Sequence, residues 1–252
     1  MAHPVNRRRL LTWLCLAGLW TARLAFAGLD GDVTSSFALA ERAYNAAKAH
    51  YQTNVNDDAA AQQFASACFD WADQKQTDDV REAVSHEGIQ VCRAWLQRKP
   101  DSAAGHYYLG MNLCQLARTK TLGALPLVKE IEKEWLASLA LDPHFDFAGA
   151  DRNLGLLYRD TPGFPLSIGS KTKAEQSLAH ALELSPEYPE NYLNLIETHL
   201  KRKPTAVPAE FKKLLEILPA ARKRFTGPQW QSAWEDWDPR IEKIKSKLPG
   251  LP

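Results

Sequence analysis

Several residues have types that do chemistry, and their spacing excludes the common uses. His86-Glu87 starts like an HExxH zinc motif but lacks the second His. Gly169-Ser170-Lys171-Thr172 has the Lys and Thr of a phosphate loop. It lacks the preceding Gly-x-x-x-x, and it opens a helix from a loop rather than from a strand. His50, His86, His106, His144, His180 and His199 are scattered, with no ligand pair at i, i+4, so no metal site is expected. No nucleophile elbow of the G-x-S-x-G type occurs. Cys68, Cys92 and Cys114 are spaced too widely for a CxxC redox or zinc site. They sit among apolar residues of helical pattern, as buried thiols or as one disulfide plus a free Cys. The sequence therefore predicts no catalytic residue, no metal and no cofactor.

The first 27 residues read as an export signal. Arg7, Arg8 and Arg9 precede an apolar run of 11 residues, Leu10 to Trp20, and Ala25-Phe26-Ala27 supplies a small-x-small cleavage pattern. A membrane span needs about 20 apolar residues, so the run is short for one. An uncleaved N-terminal anchor is the alternative. The Arg pairs also fit a twin-arginine route, which leaves Sec and Tat open. Trp13 and Leu14 before Cys15 make a poor lipobox. No later stretch can span a bilayer. Cleavage after Ala27 is expected, with the mature chain periplasmic or secreted. Formal net charge is +1, but residues 28–252 hold 27 basic and 30 acidic residues, a net of −3. A general nucleic-acid binder needs a dense basic face, and this balance argues against one.

The elements that position everything else are helices. Ala, Leu, Glu, Lys and Gln dominate from about Ser35 to Leu248, with apolar residues recurring at three and four. Pro100, Pro143 and Pro186 stand 43 residues apart, and Pro219 follows 33 later. Leu96, Leu139, Leu182 and Leu215 lie four positions before these prolines, and Cys92, Trp135, Leu178 and Phe211 lie eight before. Steps of four put these side chains on one helix face, and each proline is expected to stop its helix. A second helix precedes each of the later three, beginning near Ser102, Ala148 and Pro189. Leu109-Gly110, Leu154-Gly155 and Leu195-Ile196 occupy equivalent places, and the two glycines predict close helix approach. Asp101 is the expected cap of the Ser102 helix, and Thr172 with Glu175 has capping-box spacing.

The order Leu154-Gly155-Leu156-Leu157-Tyr158, followed by Ala174, Leu178, Ala181, Leu182, Leu184 and Pro186, resembles the tetratricopeptide repeat. The resemblance covers about residues 58–220, and longer connections extend two units beyond the family period of about 34 residues. It implies an all-α, right-handed α-solenoid of helix-turn-helix repeats. The expected division is a signal peptide (1–27), an N-terminal segment with a helix (28–56), repeats (57–220) and a Trp-rich capping segment (221–252). In that last part Trp230, Trp234 and Trp237 form one helical stripe, either a cap on the final repeat or an aromatic ligand clamp.

Arrays of this family bind on the concave face of their first helices. The resemblance places Tyr107 and Met111 there in repeat two, Arg152, Leu156 and Arg159 in repeat three, and Leu193 and Glu197 in repeat four. Such a surface suits an extended protein or peptide partner, or an acidic amphiphile held through Arg. The alternative is that Arg152 and Arg159 pair with Asp151, Asp160 or Glu197. The loop from Asp160 to Ser170 holds two prolines and two glycines. It either folds over the end of the stack or forms a rim that offers Phe164 and Ile168 to a ligand. Its Pro-Gly-aromatic-Pro-x-x-Ile-Gly run, ahead of repeat helices, is similar to the T-component proteins of periplasmic TRAP transporters. That likeness implies a carrier of a small hydrophobic or acidic ligand as a second reading.

Overall fold

The structure is a computed structural model and describes residues 36–74, 76–120 and 123–248. The export segment 1–27 and its cleavage site lie outside the described residues. Ten helices are described: α1 (Ser36–Thr53), α2 (Asp58–Asp73), α3 (Asp78–Arg98), α4 (Ala103–Thr119), α5 (Ala124–Leu141), α6 (Phe145–Asp160), α7 (Lys171–Leu184), α8 (Pro189–Arg202), α9 (Val207–Arg224) and α10 (Pro228–Lys245). No strand is present among the described residues, and none of these helices is long and apolar enough to cross a membrane.

The helices pack in chain order, α1 on α2, α2 on α3 and onward to α8 on α9. Short connections force neighbours to run antiparallel. Four helix pairs result, α2–α3, α4–α5, α6–α7 and α8–α9, flanked by α1 and α10. The chain is thus an all-α solenoid of helical repeats, in which each pair buries the face of the next. The first helices α4, α6 and α8 are buried nearly all round, while the second helices keep a solvated side.

Side-chain caps start four of the helices. Asp57 accepts from the Ala59 and Ala60 amides, and Thr77 accepts from the Val80 amide. Ser102 caps α4 through the Gly105 amide, and Ser170 caps α7 through the Lys173 amide. Both caps differ from the expected Asp101 and Thr172. In each case a serine close to the expected residue has the extended backbone that a cap requires. Pro100, Pro143 and Pro186 follow helix ends as expected, but Pro219 lies inside α9. The helix continues because Ala221 and the flanking Phe225 are buried in the C-terminal core.

Close approach at two glycines fixes the pairing. A Cβ on Gly110 would lie 2.4 Å from the Trp135 Nε1 of α5, and one on Gly155 would lie 2.6 Å from the Leu178 Cγ of α7. One core cluster runs from α1 to α7. A second joins α8, α9 and α10, and a small third cluster of Leu156, Leu178 and Leu195 lies among α6, α7 and α8. Cys68, Cys92 and Cys114 are buried and form no disulfide with one another. Burial pushes the Cys68 and Cys92 thiols up, which keeps them protonated and inert.

Candidate functional site

The residues read as a binding face converge, but on one another. Asp146, Phe147 and Ala148 adopt left-handed backbone at φ 53°, 53° and 61°. Such a conformation costs about 1–2 kcal/mol per non-glycine residue. Arg152 holds the turn in place. Its guanidinium donates to the Asp146 carbonyl (3.1 Å), the Phe147 carbonyl (3.0 Å) and the Asp146 carboxylate (2.9 Å). It also reaches Asn191 Oδ1 at 3.3 Å and lies 5.1 Å from the Tyr188 ring centroid. Asn191 in turn donates to the Phe147, Ala181 and Ser185 carbonyls. The Tyr107 hydroxyl donates to the same Asp146 carboxylate, and Asn153 donates to the Tyr107 hydroxyl at 3.2 Å.

Electrostatics follow from burial. Burial pushes the Asp146 carboxyl up to about 6, although the Arg152 charge and the Tyr107 hydroxyl pull it down. Burial also raises the Tyr107 hydroxyl well above its usual range, with the Asp146 charge adding to it. For Arg152 burial acts against the charged form, yet Asp146 and the phenols around it raise its pKa. Asp146 Oδ1 and Arg152 Nε are buried without a hydrogen-bond partner among the described residues.

A second polar centre holds the C-terminal helix. Arg240 of α10 donates to Glu190 (2.7 Å), Asn194 (2.7 Å), Glu197 (2.8 and 3.1 Å) and Asp236 (2.8 Å). The Trp237 indole donates to Glu190. Burial acts against the Glu190 charge, but the Arg240 charge outweighs it and the pKa is lowered. The first-helix face of repeat four is therefore covered by the chain's own α10.

The expected groove residues thus divide. Tyr107, Met111, Arg152, Leu156 and Leu193 are buried, so they form no open surface, because side chains of α4, α6 and α8 fill the space between the first helices. Arg159 forms a two-pronged pair with Asp160 (2.7 and 2.8 Å), and Glu197 binds Arg240 rather than either groove Arg. Arg152 pairs with Asp146, a partner six residues away that no helical spacing would bring to the same face. Ile168 packs partly against the N-terminal core instead of facing outward. Trp237 is buried in the C-terminal core and Trp230 and Trp234 are packed against it, which gives the stripe a capping role.

Phe164 alone of the nine is fully presented, at 92% exposure, and Leu166 beside it is 70% exposed. Their loop is not slack. The Gly169 amide donates to the Pro162 carbonyl (2.9 Å), the Ser170 amide to the Tyr158 carbonyl (2.9 Å) and the Leu166 amide to the Gly163 carbonyl (3.1 Å). Sequence reading missed Asp146, Asn191 and Arg240. Only Arg240 left a signal, its i, i+4 spacing from Asp236 beside the Trp stripe.

No family model and no curated protein matches the chain. Solved structures do. The chain is similar to a thermophilic tetratricopeptide-repeat protein of Thermus thermophilus, at 17% identity and a TM-score of 0.59. The match covers 84% of this chain and 97% of that one. The fold is accordingly tetratricopeptide-like along most of the molecule.

Proposed function

We propose that the protein is an exported, non-catalytic scaffold that holds a protein partner. The Arg-rich start, the apolar run and Ala25-Phe26-Ala27 support export to the periplasm or beyond the cell. A solenoid presents a long surface for its size, and the tetratricopeptide-like fold supports a role in binding. The concave face offers little of that surface, since Arg152 and Arg240 tie its residues to the chain itself. The observation that carries the reading lies on the outer side. On α5, Leu125 and Leu136 are exposed at 47% and 46%, and their spacing of eleven residues puts them on one helix face.

The test is a photo-crosslinking residue at position 136 in the native host. A defined protein adduct, lost in Leu125→Ser/Leu136→Ser protein of unchanged melting temperature, is the expected result. An adduct that survives the double substitution contradicts this assignment of the face.

A carrier reading, similar to the TRAP transporter T-component, draws on one observation: the unpartnered Asp146 Oδ1 and Arg152 Nε beside the left-handed turn. It requires the centre to open around an acidic or lipid-like ligand. Native mass spectrometry of protein purified from its host would then show a bound small molecule. Ligand-free protein counts against this reading.

A further inference from the structure

Beyond the scaffold reading, and independent of it, one end of the solenoid has the composition of a membrane-docking surface. Three segments meet there. The Phe164 loop feeds the start of α7. The Arg202 guanidinium, at the end of α8, donates to the Lys171 carbonyl at 3.0 Å, which joins the α8–α9 connection to the start of α7. Trp237 bonds Glu190, while Arg240 bonds Asn194 and Glu197. Those pairings make α10 run parallel to α8, so its last residues reach the same end.

Residues 163–175, 200–206 and 241–248 contain eight basic residues and two acidic ones. All eight basic residues are exposed. Glu175 neutralises part of this charge by pairing with Arg202 and Lys203. Lys201, Lys245 and Lys247 have no carboxylate partner among the described residues. At the same end of the first repeat the charge is balanced, since Asp73, Asp78 and Glu82 pair with Arg118, Arg81 and Lys120. Excess positive charge is therefore local, in a chain whose residues 28–252 are net acidic. Phe164 and Leu166 project from this basic end on a loop held by backbone hydrogen bonds.

We infer that this end docks on an anionic phospholipid surface, with Phe164 and Leu166 entering the headgroup boundary and the surrounding Lys and Arg residues facing lipid phosphates. A protein partner would need a shaped pocket for a side chain as exposed as Phe164, whereas a bilayer interface accepts it without one. Several cations within a Debye length of anionic lipid add their attractions. Attachment is peripheral, as none of the described helices can span the bilayer.

The experiment is sedimentation of the full chain with phosphatidylcholine vesicles, with and without phosphatidylglycerol. Binding is expected only to the phosphatidylglycerol vesicles, and it weakens as salt rises. Lys201→Gln/Lys245→Gln should weaken it about thirtyfold, on the basis of two cations at the surface. Phe164→Ser/Leu166→Ser should weaken it at least about tenfold. All four positions are exposed, so both variants should keep the parent's melting temperature, and residues 1–27 are common to all three proteins. Equal binding to neutral vesicles, sedimentation of either variant like the parent, or no vesicle binding at all overturns the inference. So does a protein adduct at position 164 without lipid binding. The assay contains no partner protein, so its failure leaves the α5 test untouched.

Discussion

The turn at Asp146–Ala148 lies in the first residues of α6 and the loop at Thr161–Ser170 follows its end, and they use polar and aromatic residues in opposite ways. At the turn, Arg152, Tyr107 and Asn191 are spent on a backbone shape that the chain would not hold unaided. At the loop, backbone hydrogen bonds hold the shape and leave Phe164 and Leu166 free for contact outside the chain. Residue types suited to binding are thus no guide to a binding surface in a tightly wound solenoid. What matters is whether another part of the chain has already engaged them.

The largest expected effect is on the buried side. Arg152→Ala leaves the Asp146 charge uncompensated and the left-handed turn unsupported, and should lower unfolding free energy by about 3–5 kcal/mol. Denaturant titration reads this directly. A loss below about 1 kcal/mol would show that the turn does not depend on Arg152. Trp237→Ala removes a side chain that is 1% exposed and the indole bond to Glu190. About 3 kcal/mol is expected, together with earlier proteolysis of α10. Gly110→Ala must displace Trp135, whose Nε1 would lie 2.4 Å from the new Cβ, and should cost about 1–3 kcal/mol.

A pH effect sharpens the comparison. The Asp146 pKa is raised from 3.8 to about 6 in the folded chain, where Arg152, Tyr107 and, at longer range, Asp70 surround it. Between those values the folded state holds more protons than the unfolded one, so this group makes stability fall as pH rises. Relative to Asp146→Asn, the parent should lose stability from about pH 4 to about pH 6 and level off above. Urea titrations of both proteins across that range check the sign. The smallest effect belongs to the loop. Phe164→Ser should shift stability by no more than about 0.5 kcal/mol while weakening vesicle binding.

Much of the solenoid was legible from the sequence. The proline ladder, the apolar steps of four and the two Leu-Gly pairs give the helix pairs, because repeated burial imposes a repeated pattern. Pro219 misled because tertiary burial of Ala221 and Phe225 outweighs a local helix breaker. The candidate site was less legible. Family spacing put Tyr107 and Arg152 on the concave face of the first helices but gave no sign that the chain itself buries both. Asp146-Phe147-Ala148 contains no glycine to announce a left-handed turn, and a partner six residues from Arg152 lies outside any helical rule. Arg240 shows in the sequence only by its i, i+4 spacing from Asp236, beside tryptophans whose stripe accounts for the segment by itself.

Hydroxyl-radical footprinting of the native chain tests the central contrast most directly, by reading Met111 and Phe164 in one sample. Met111 is 4% exposed and Phe164 92%. The account predicts heavy labelling of Phe164 and strong protection of Met111, despite the greater intrinsic reactivity of its sulfur. Labelling of Met111 at the level of the unfolded chain would contradict it, because the first-helix face would then be open to solvent.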